Sequence, residues 1–143
     1  MPGIVVGVEG SAGSLKALEW AAREAAIRQA PLTVVTVHPV AASFWTDTVI
    51  IYAEDEPVLQ HDVQAAREAT EKVISELDGP HPTDVAVRGV SGIVVPELLS
   101  ASQDADLLVL GARGGGGFHA LRLGGVSSQL VGHASCPVAV VPA

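Results

Sequence analysis

Two kinds of hydrophobic pattern alternate along this chain. Short runs rich in Val, Leu and Ile are almost continuously apolar, which is typical of strands buried on both faces of a parallel sheet. Between these runs, apolar residues recur every three or four positions, which is typical of helices that rest one face on a core. The pattern predicts five strands, near residues 4–8, 32–37, 84–90, 106–110 and 137–141, and four helices, near 15–29, 59–77, a short one around Pro96, and 126–133.

The alternation of strands and helices predicts an α/β fold. We expect a single domain over residues 1–143: a five-stranded, parallel, doubly wound open sheet of Rossmann-like type, with strand order 3-2-1-4-5 and helices on both faces. In such sheets ligands bind beyond the carboxyl ends of the strands, where the strand order reverses. Glu9-Gly10-Ser11 leaves the first predicted strand there, and a glycine-rich loop leaves the fourth. We therefore expect both segments to line one crevice.

Composition and charge exclude several classes of protein. The chain has 143 residues, of which 48% are apolar and 17% charged, so it can bury a core of its own. A net charge of −8 argues against nucleic acid or an anionic membrane surface as the partner. Cys136 is the single cysteine, so the chain has no internal disulfide. The N-terminus lacks the features of a signal peptide and no apolar run is long enough to span a membrane, which predicts a cytoplasmic protein.

The last quarter of the chain has a different charge balance. From Leu107 to Ala143 it contains no Asp or Glu, and its only Lys or Arg residues are Arg113 and Arg122. A segment without carboxylates in an acidic protein suits the binding of an anion. Burial of an apolar segment would produce the same composition, so both explanations stay open.

The glycine-rich loop, residues 111–125, is the strongest chemical signal. It contains seven glycines in fifteen residues, between a predicted buried strand and a predicted helix. Glycines allow backbone N–H groups to approach a ligand closely, and the following helix presents its positive end, so together they favour a phosphate site. A flexible loop without a ligand remains the alternative. A P-loop is excluded because neither Lys16 nor Lys72 lies in this loop. A nucleophile elbow, Gly-x-Ser-x-Gly, is not supported around Gly10-Ser11-Ala12-Gly13, because Glu9 stands at the position of its first glycine.

At these residues the chain resembles the universal stress protein domain, and the resemblance covers the whole chain. The family pattern Gly-x2-Gly-x9-Gly-Ser/Thr is matched by Gly111, Gly114 and Gly124, although Gly125 replaces the Ser/Thr. Val-Gly-Val-Glu-Gly-Ser near the N-terminus and His-Ala-Ser-Cys-Pro-Val near the C-terminus are also typical of the family, except that Glu9 stands where Asp is usual. The resemblance implies an adenine-nucleotide-binding protein that acts as a stress-response sensor or switch.

The resemblance also implies roles for individual residues. Glu9 would lie near the ribose or base, Val37 would line the adenine pocket, and Leu110 and Gly111 would contact the adenosine. Gly114, Gly124, Gly125 and Val126 would donate N–H groups to the phosphates, Ser127 would lie within the next turn, and Arg113 would either pair with phosphate or stay solvated. The ligand would be ATP or AMP, with Mg²⁺ carried by the nucleotide. We expect no metal site and no catalytic residue, and we take His119 to be a surface histidine and His38 a loop histidine without a role.

Three further expectations concern partners and rival functions. The resemblance implies a homodimer formed through the last strand, residues 137–141, because an apolar edge strand should be paired or covered. A dimeric interaction module of the same family that binds no nucleotide is the main rival function. A slow ATP hydrolase is the second, although the sequence offers no clear catalytic set.

Overall fold

A computed structural model describes residues 3–9, 12–39, 56–112 and 125–142. These residues form five strands and four helices in strict alternation, as the sequence predicted. In chain order they are β1 (Ile4–Val8), α1 (Ala12–Arg28), β2 (Leu32–Pro39), α2 (Glu56–Ser75), β3 (Val85–Gly92), α3 (Val94–Ala101), β4 (Leu107–Gly111), α4 (Gly125–His133) and β5 (Val138–Val141).

The five strands form one parallel sheet in the order β3-β2-β1-β4-β5. This confirms the predicted doubly wound α/β fold. β1 lies at the centre, where Val6 is in register with Val34 of β2 and Val109 of β4. The strand order reverses at β1, so the carboxyl ends of β2, β1 and β4 lie side by side at the switch point.

Alternation along each strand divides the core between the two faces of the sheet. Ile4 and Val6 point into a cluster covered by α1 and α2, whereas Val5 points into a cluster covered by α3 and α4. Leu107 and Leu108 of β4 are divided in the same way. The near-continuous apolar character of these strands follows from this, because both faces are buried.

Helix α1 packs on the sheet through small residues. The side chains of its buried face are Ala17, Leu18, Ala21, Ala22 and Ala25. Alanines let a helix lie close to the strands. The helix ends at Arg28; Gln29 after it adopts a left-handed conformation with φ of 54°, and the N–H of Ala30 donates to the carbonyl of Ala25.

The observed elements differ from the predicted ones mainly at their ends. Helix α1 begins at Ala12 and not near residue 15, so Ser14 lies inside its first turn. β2 and β3 are both longer than expected and stay paired as far as His38 with Ser91 and Pro39 with Gly92. Hydrogen bonds between β2 and β3 extend both strands beyond their apolar runs. Neither sequence segment by itself indicates this pairing.

None of the helices in the described part of the chain is long and apolar enough to cross a membrane.

Candidate functional site

A pocket of about 610 Å³ opens at the carboxyl ends of β1, β2 and β4. All four helices contribute to its walls, and most of its lining is apolar. The polar side chains in the lining belong to Glu9, Ser14, Thr36, Asp62 and Ser127. A largely apolar hollow with a few polar groups at a topological switch point is the usual form of a small-molecule site.

Small residues keep the interior of the pocket open. A Cβ on Gly7 would lie 3.2 Å from Cδ2 of Leu98 and 3.4 Å from Cδ2 of Leu110, so a larger residue would displace the leucines that line the pocket. On the opposite wall, α2 presents Ala65, Ala66 and Ala69. Small side chains on both walls therefore leave space for an apolar group.

The first turn of α4 forms one end of the pocket through Gly125, Val126 and Ser127. Helix N-termini carry unpaired N–H groups and a partial positive charge. A Cβ on Gly125 would meet no heavy atom of residues 3–9, 12–39, 56–112 or 125–142 within 4 Å, so this part of the chain leaves the turn uncovered. The N-terminus of α4 can therefore receive an anionic group.

Two contacts hold this turn and the end of β4 in place. The Ser127 hydroxyl is buried and donates to the Gly111 carbonyl over 2.7 Å. Gly111 also approaches α1 closely, since a Cβ there would lie 3.0 Å from the carbonyl oxygen of Gly13. The Ser127 hydroxyl hydrogen is thus committed to the backbone, and Gly111 must be small for β4 to end against α1.

Two carboxylates also line the pocket. Glu9 follows β1 and is exposed, and its backbone N–H donates to Oγ of Ser14 over 3.3 Å. Asp62 of α2 also lines the pocket, and its Oδ2 lies 3.0 Å from Nδ1 of His38. The described lining contains no Lys or Arg. An anion is therefore favoured at the α4 end and disfavoured near Glu9 and Asp62.

Seven of the residues predicted for the site lie together in this pocket: Glu9, Val37, Leu110, Gly111, Gly125, Val126 and Ser127. Arg113, Gly114 and Gly124 lie outside the described residues, as does His119. Among the described residues no group of three or more His, Cys, Asp and Glu side chains could hold a metal ion.

Sequence reasoning missed several pocket residues. Gly7 of the first strand and Leu98 of the short third helix were not assigned to the site. His38, expected in a loop without a role, lies in β2 and is hydrogen-bonded to Asp62 of α2, which lines the pocket. They are separated by 24 positions, so no local spacing could reveal the pair.

Comparison with known proteins identifies the class of this α/β domain. The model of the Universal stress protein family matches residues 2–142, and the chain belongs to that family. Universal stress protein Rv1996 of Mycobacterium tuberculosis is 37% identical over 151 residues, which cover 98% of this chain and 48% of that protein. Universal stress protein Rv2005c of the same species is 36% identical over 146 residues, which cover 97% and 47%. The chain thus spans about half the length of these curated relatives.

Solved structures share the fold. Universal stress protein UspA from Lactobacillus plantarum superposes with a TM-score of 0.73 at 24% identity and covers 98% of this chain and 97% of its own. A universal stress protein in complex with cAMP gives 0.68 at 24%, covering 99% and 96%. The universal stress protein from Archaeoglobus fulgidus in complex with dAMP gives 0.62 at 24%, covering 99% and 98%.

Proposed function

We propose that this protein binds an adenine nucleotide, ATP or AMP, in the pocket at the carboxyl ends of β1, β2 and β4. The observation that carries the proposal is the lining of this pocket: an apolar hollow of about 610 Å³ that ends on the first turn of α4. Pockets for small molecules and cofactors measure about 300–1,000 Å³. A nucleotide combines a flat apolar base with an anionic group, and the pocket offers a matching environment for each.

The distribution of charge sets the direction of the nucleotide. Phosphates belong at Gly125 and Val126, which line the pocket at the positive end of α4, where a helix has unpaired N–H groups. Glu9 suits the ribose, because a carboxylate accepts hydrogen bonds from hydroxyl groups. The base then lies towards Val37 and the alanines of α2. Gly114, Gly124 and Arg113 are proposed for the phosphates on the family pattern alone.

Ligands of structural neighbours support this choice. One neighbour was solved with cAMP and another with dAMP. The two ligands share the adenine base and differ in the sugar and in the phosphate linkage. Their common part supports an adenine compound for this chain, whereas the number of phosphates is inferred from the family resemblance.

Substitutions at Gly125 test the phosphate position. Gly125→Asp places a carboxylate against the anion and should weaken binding of AMP and ATP by more than about tenfold, the factor that 1.4 kcal/mol represents. Because an acidic residue in the first turn stabilises a helix, the free variant should keep or raise its melting temperature. Titration calorimetry measures the affinity, and thermal melting confirms that the variant is folded.

Gly125→Ser is the matched control for that charge. A serine Cβ at this position would contact no other described residue, and serine restores the hydroxyl that the family pattern carries, so binding should stay equal or improve by several-fold. At a ligand concentration of about one hundred times Kd, the wild-type protein should gain about 2.7 kcal/mol of stability. The proposal is wrong if millimolar AMP and ATP change neither the melting temperature nor the calorimetric baseline of the wild-type protein.

The proposed role is that of a cytoplasmic stress-response sensor or switch. Phosphoryl transfer requires a group that orients the attacking water or hydroxyl near the terminal phosphate. The described pocket lining offers two carboxylates for such a role, Glu9 and Asp62. Mg²⁺ would enter with ATP, held mainly by phosphates and water. Slow hydrolysis of ATP would be measured as release of inorganic phosphate by the purified protein.

The edge strand β5 favours a second role as a dimeric interaction module. Its four residues are each only partly buried, although all are apolar. An apolar edge of this kind is a template for another strand. We propose that residues 137–141 pair with the same segment of a second copy. A chain that forms this dimer and binds no nucleotide would be the interaction module alone.

A further inference from the structure

The hydrogen-bonded pair of His38 and Asp62 joins the end of β2 to α2 at the margin of the pocket. Nδ1 of His38 lies 3.0 Å from Oδ2 of Asp62, and the two side chains are 20% and 34% exposed. An ionised carboxylate only accepts hydrogen bonds, so the imidazole nitrogen is the donor. Oδ2 is engaged by His38, which leaves Oδ1 to accept from a molecule in the pocket.

The sheet places this pair far from the phosphate end. Gly125 and Gly111 belong to the β4 side of the pocket, whereas His38 and Asp62 belong to the β2 side, with β1 between them. Adjacent strands are about 4.8 Å apart, so β2 and β4 are separated by about 10 Å. A nucleotide whose phosphate contacts α4 therefore extends its base towards Asp62.

We infer that Asp62 is a specificity-determining residue that accepts a hydrogen bond from the exocyclic amino group of the base, and that His38 is its positioning residue. The inference rests on the proposed nucleotide function. The inference explains why the protein would bind a 6-aminopurine more tightly than a 6-oxopurine. The explanation depends on two side chains that the family pattern does not include.

The chemistry of the carboxylate supports this selection. The 6-amino group of adenine is a donor and meets an acceptor, whereas the 6-oxo group of hypoxanthine or guanine is an acceptor and would be repelled. A carboxylate pairs with the adjacent N1–H and 2-amino groups of guanine through both of its oxygens. The hydrogen bond from His38 uses one lone pair of Oδ2 and holds the carboxylate in one orientation, so it competes with this two-point pairing. Held in this way, Asp62 suits a single amino donor at Oδ1.

The test measures the affinities for AMP and inosine monophosphate by titration calorimetry. These ligands differ at position 6 of the purine and at the adjacent N1, which is an acceptor in adenine and carries a hydrogen in hypoxanthine. The wild-type protein should prefer AMP by about tenfold or more, as expected for a hydrogen bond to a charged group. Asp62→Asn should reduce this ratio to near one, because an amide can both donate and accept. Asp78→Asn removes the same charge at an exposed position outside the pocket and should leave the ratio unchanged.

A second pair of variants tests the positioning role of His38. The side-chain amide nitrogen of Asn can replace the Nδ1 donor, so His38→Asn should retain most of the preference for AMP. His38→Ala removes the donor and should lower the preference towards that of Asp62→Asn. A purely structural role would make both His38 variants lose affinity for the two nucleotides equally, and that result would overturn the positioning role.

Further outcomes separate this inference from the proposed function. If the wild-type protein binds neither nucleotide, the proposed function fails and the inference with it. If it binds AMP but Asp62→Asn keeps the wild-type ratio, the inference alone is wrong. If Asp62→Asn instead changes the ratio of AMP to dAMP, Asp62 contacts the ribose and the assignment to the base is overturned. Tighter binding of guanosine monophosphate than of AMP by the wild-type protein would also overturn it.

Discussion

Two adjacent serines in α4 have identical chemistry and different surroundings. Ser127 is buried and donates to the Gly111 carbonyl over 2.7 Å, whereas Ser128 is exposed. A buried hydroxyl that bonds a carbonyl across 16 positions connects α4 to the end of β4. The single side chain therefore helps to keep the helix N-terminus aimed at the pocket.

Replacing each serine by alanine should change the free energy of unfolding by different amounts. Ser127→Ala removes the hydrogen bond and should lower the free energy of unfolding by about 1 kcal/mol. That loss corresponds to about 2–4 °C in melting temperature for a domain of this size. It should also weaken nucleotide binding, because the first turn of α4 loses its attachment to β4. Ser128→Ala should stay within about 0.5 kcal/mol of the wild type in calorimetric or denaturant unfolding. Equal effects of the two substitutions would contradict the assigned role.

At the scale of elements, α4 packs on the sheet through one fully buried apolar side chain. Leu130 is fully buried in the cluster beneath α3 and α4, while its neighbour Val131 is 49% exposed. The helix has nine residues, too few to be stable alone in water. Its position at the pocket therefore depends on packing and on the Ser127 hydrogen bond.

Truncation of Leu130 tests that dependence. Leu130→Ala should destabilise the protein by about 2–5 kcal/mol, because it removes buried methyl groups and leaves a cavity. Val131→Ala, on the exposed side of the same helix, should change stability by no more than about 0.5 kcal/mol. Urea unfolding followed by circular dichroism measures both. A small effect of Leu130→Ala would mean that α4 is positioned by other contacts.

At the scale of the whole molecule, the order of the sheet determines both the pocket and the free edge. β1 lies between β2 and β4, so residues about 30 and 100 positions apart in the chain meet around one hollow. The same order leaves β5 at an edge. The carbonyls of Pro137 and Val141 accept from β4, so by alternation the N–H and C=O groups of Val138 and Val140 point away from the sheet.

This geometry predicts how the proposed dimer can be broken. Val140→Pro removes an outward N–H that β4 does not use, so it should convert the dimer into a monomer with the fold retained. Val87→Pro is the matched control on β3, the strand at the opposite edge of the sheet. The Asp84 carbonyl accepts from Leu32 of β2, so by alternation along β3 the N–H of Val87 points away from the sheet. Sedimentation equilibrium should give two chains for wild type and Val87→Pro, and one for Val140→Pro. A wild-type monomer at all concentrations would refute the dimer.

Much of this architecture could be predicted from the sequence. Buried parallel strands require near-continuous apolar runs, and helices on a sheet require apolar residues every three or four positions, so the order of elements was readable locally. Seven of the predicted site residues line the pocket because strand ends and helix starts meet at a switch point, which the alternation of elements already implied.

Only the tertiary structure decided which distant side chains meet. Local sequence determined the elements, because secondary structure depends on near neighbours and on the period of burial. The hydrogen bond between His38 and Asp62, the closeness of Gly7 to Leu98 and the commitment of the Ser127 hydroxyl to Gly111 depend on how strands pair and helices pack. These contacts arise between residues 16 to 91 positions apart, a separation at which no periodic pattern carries information.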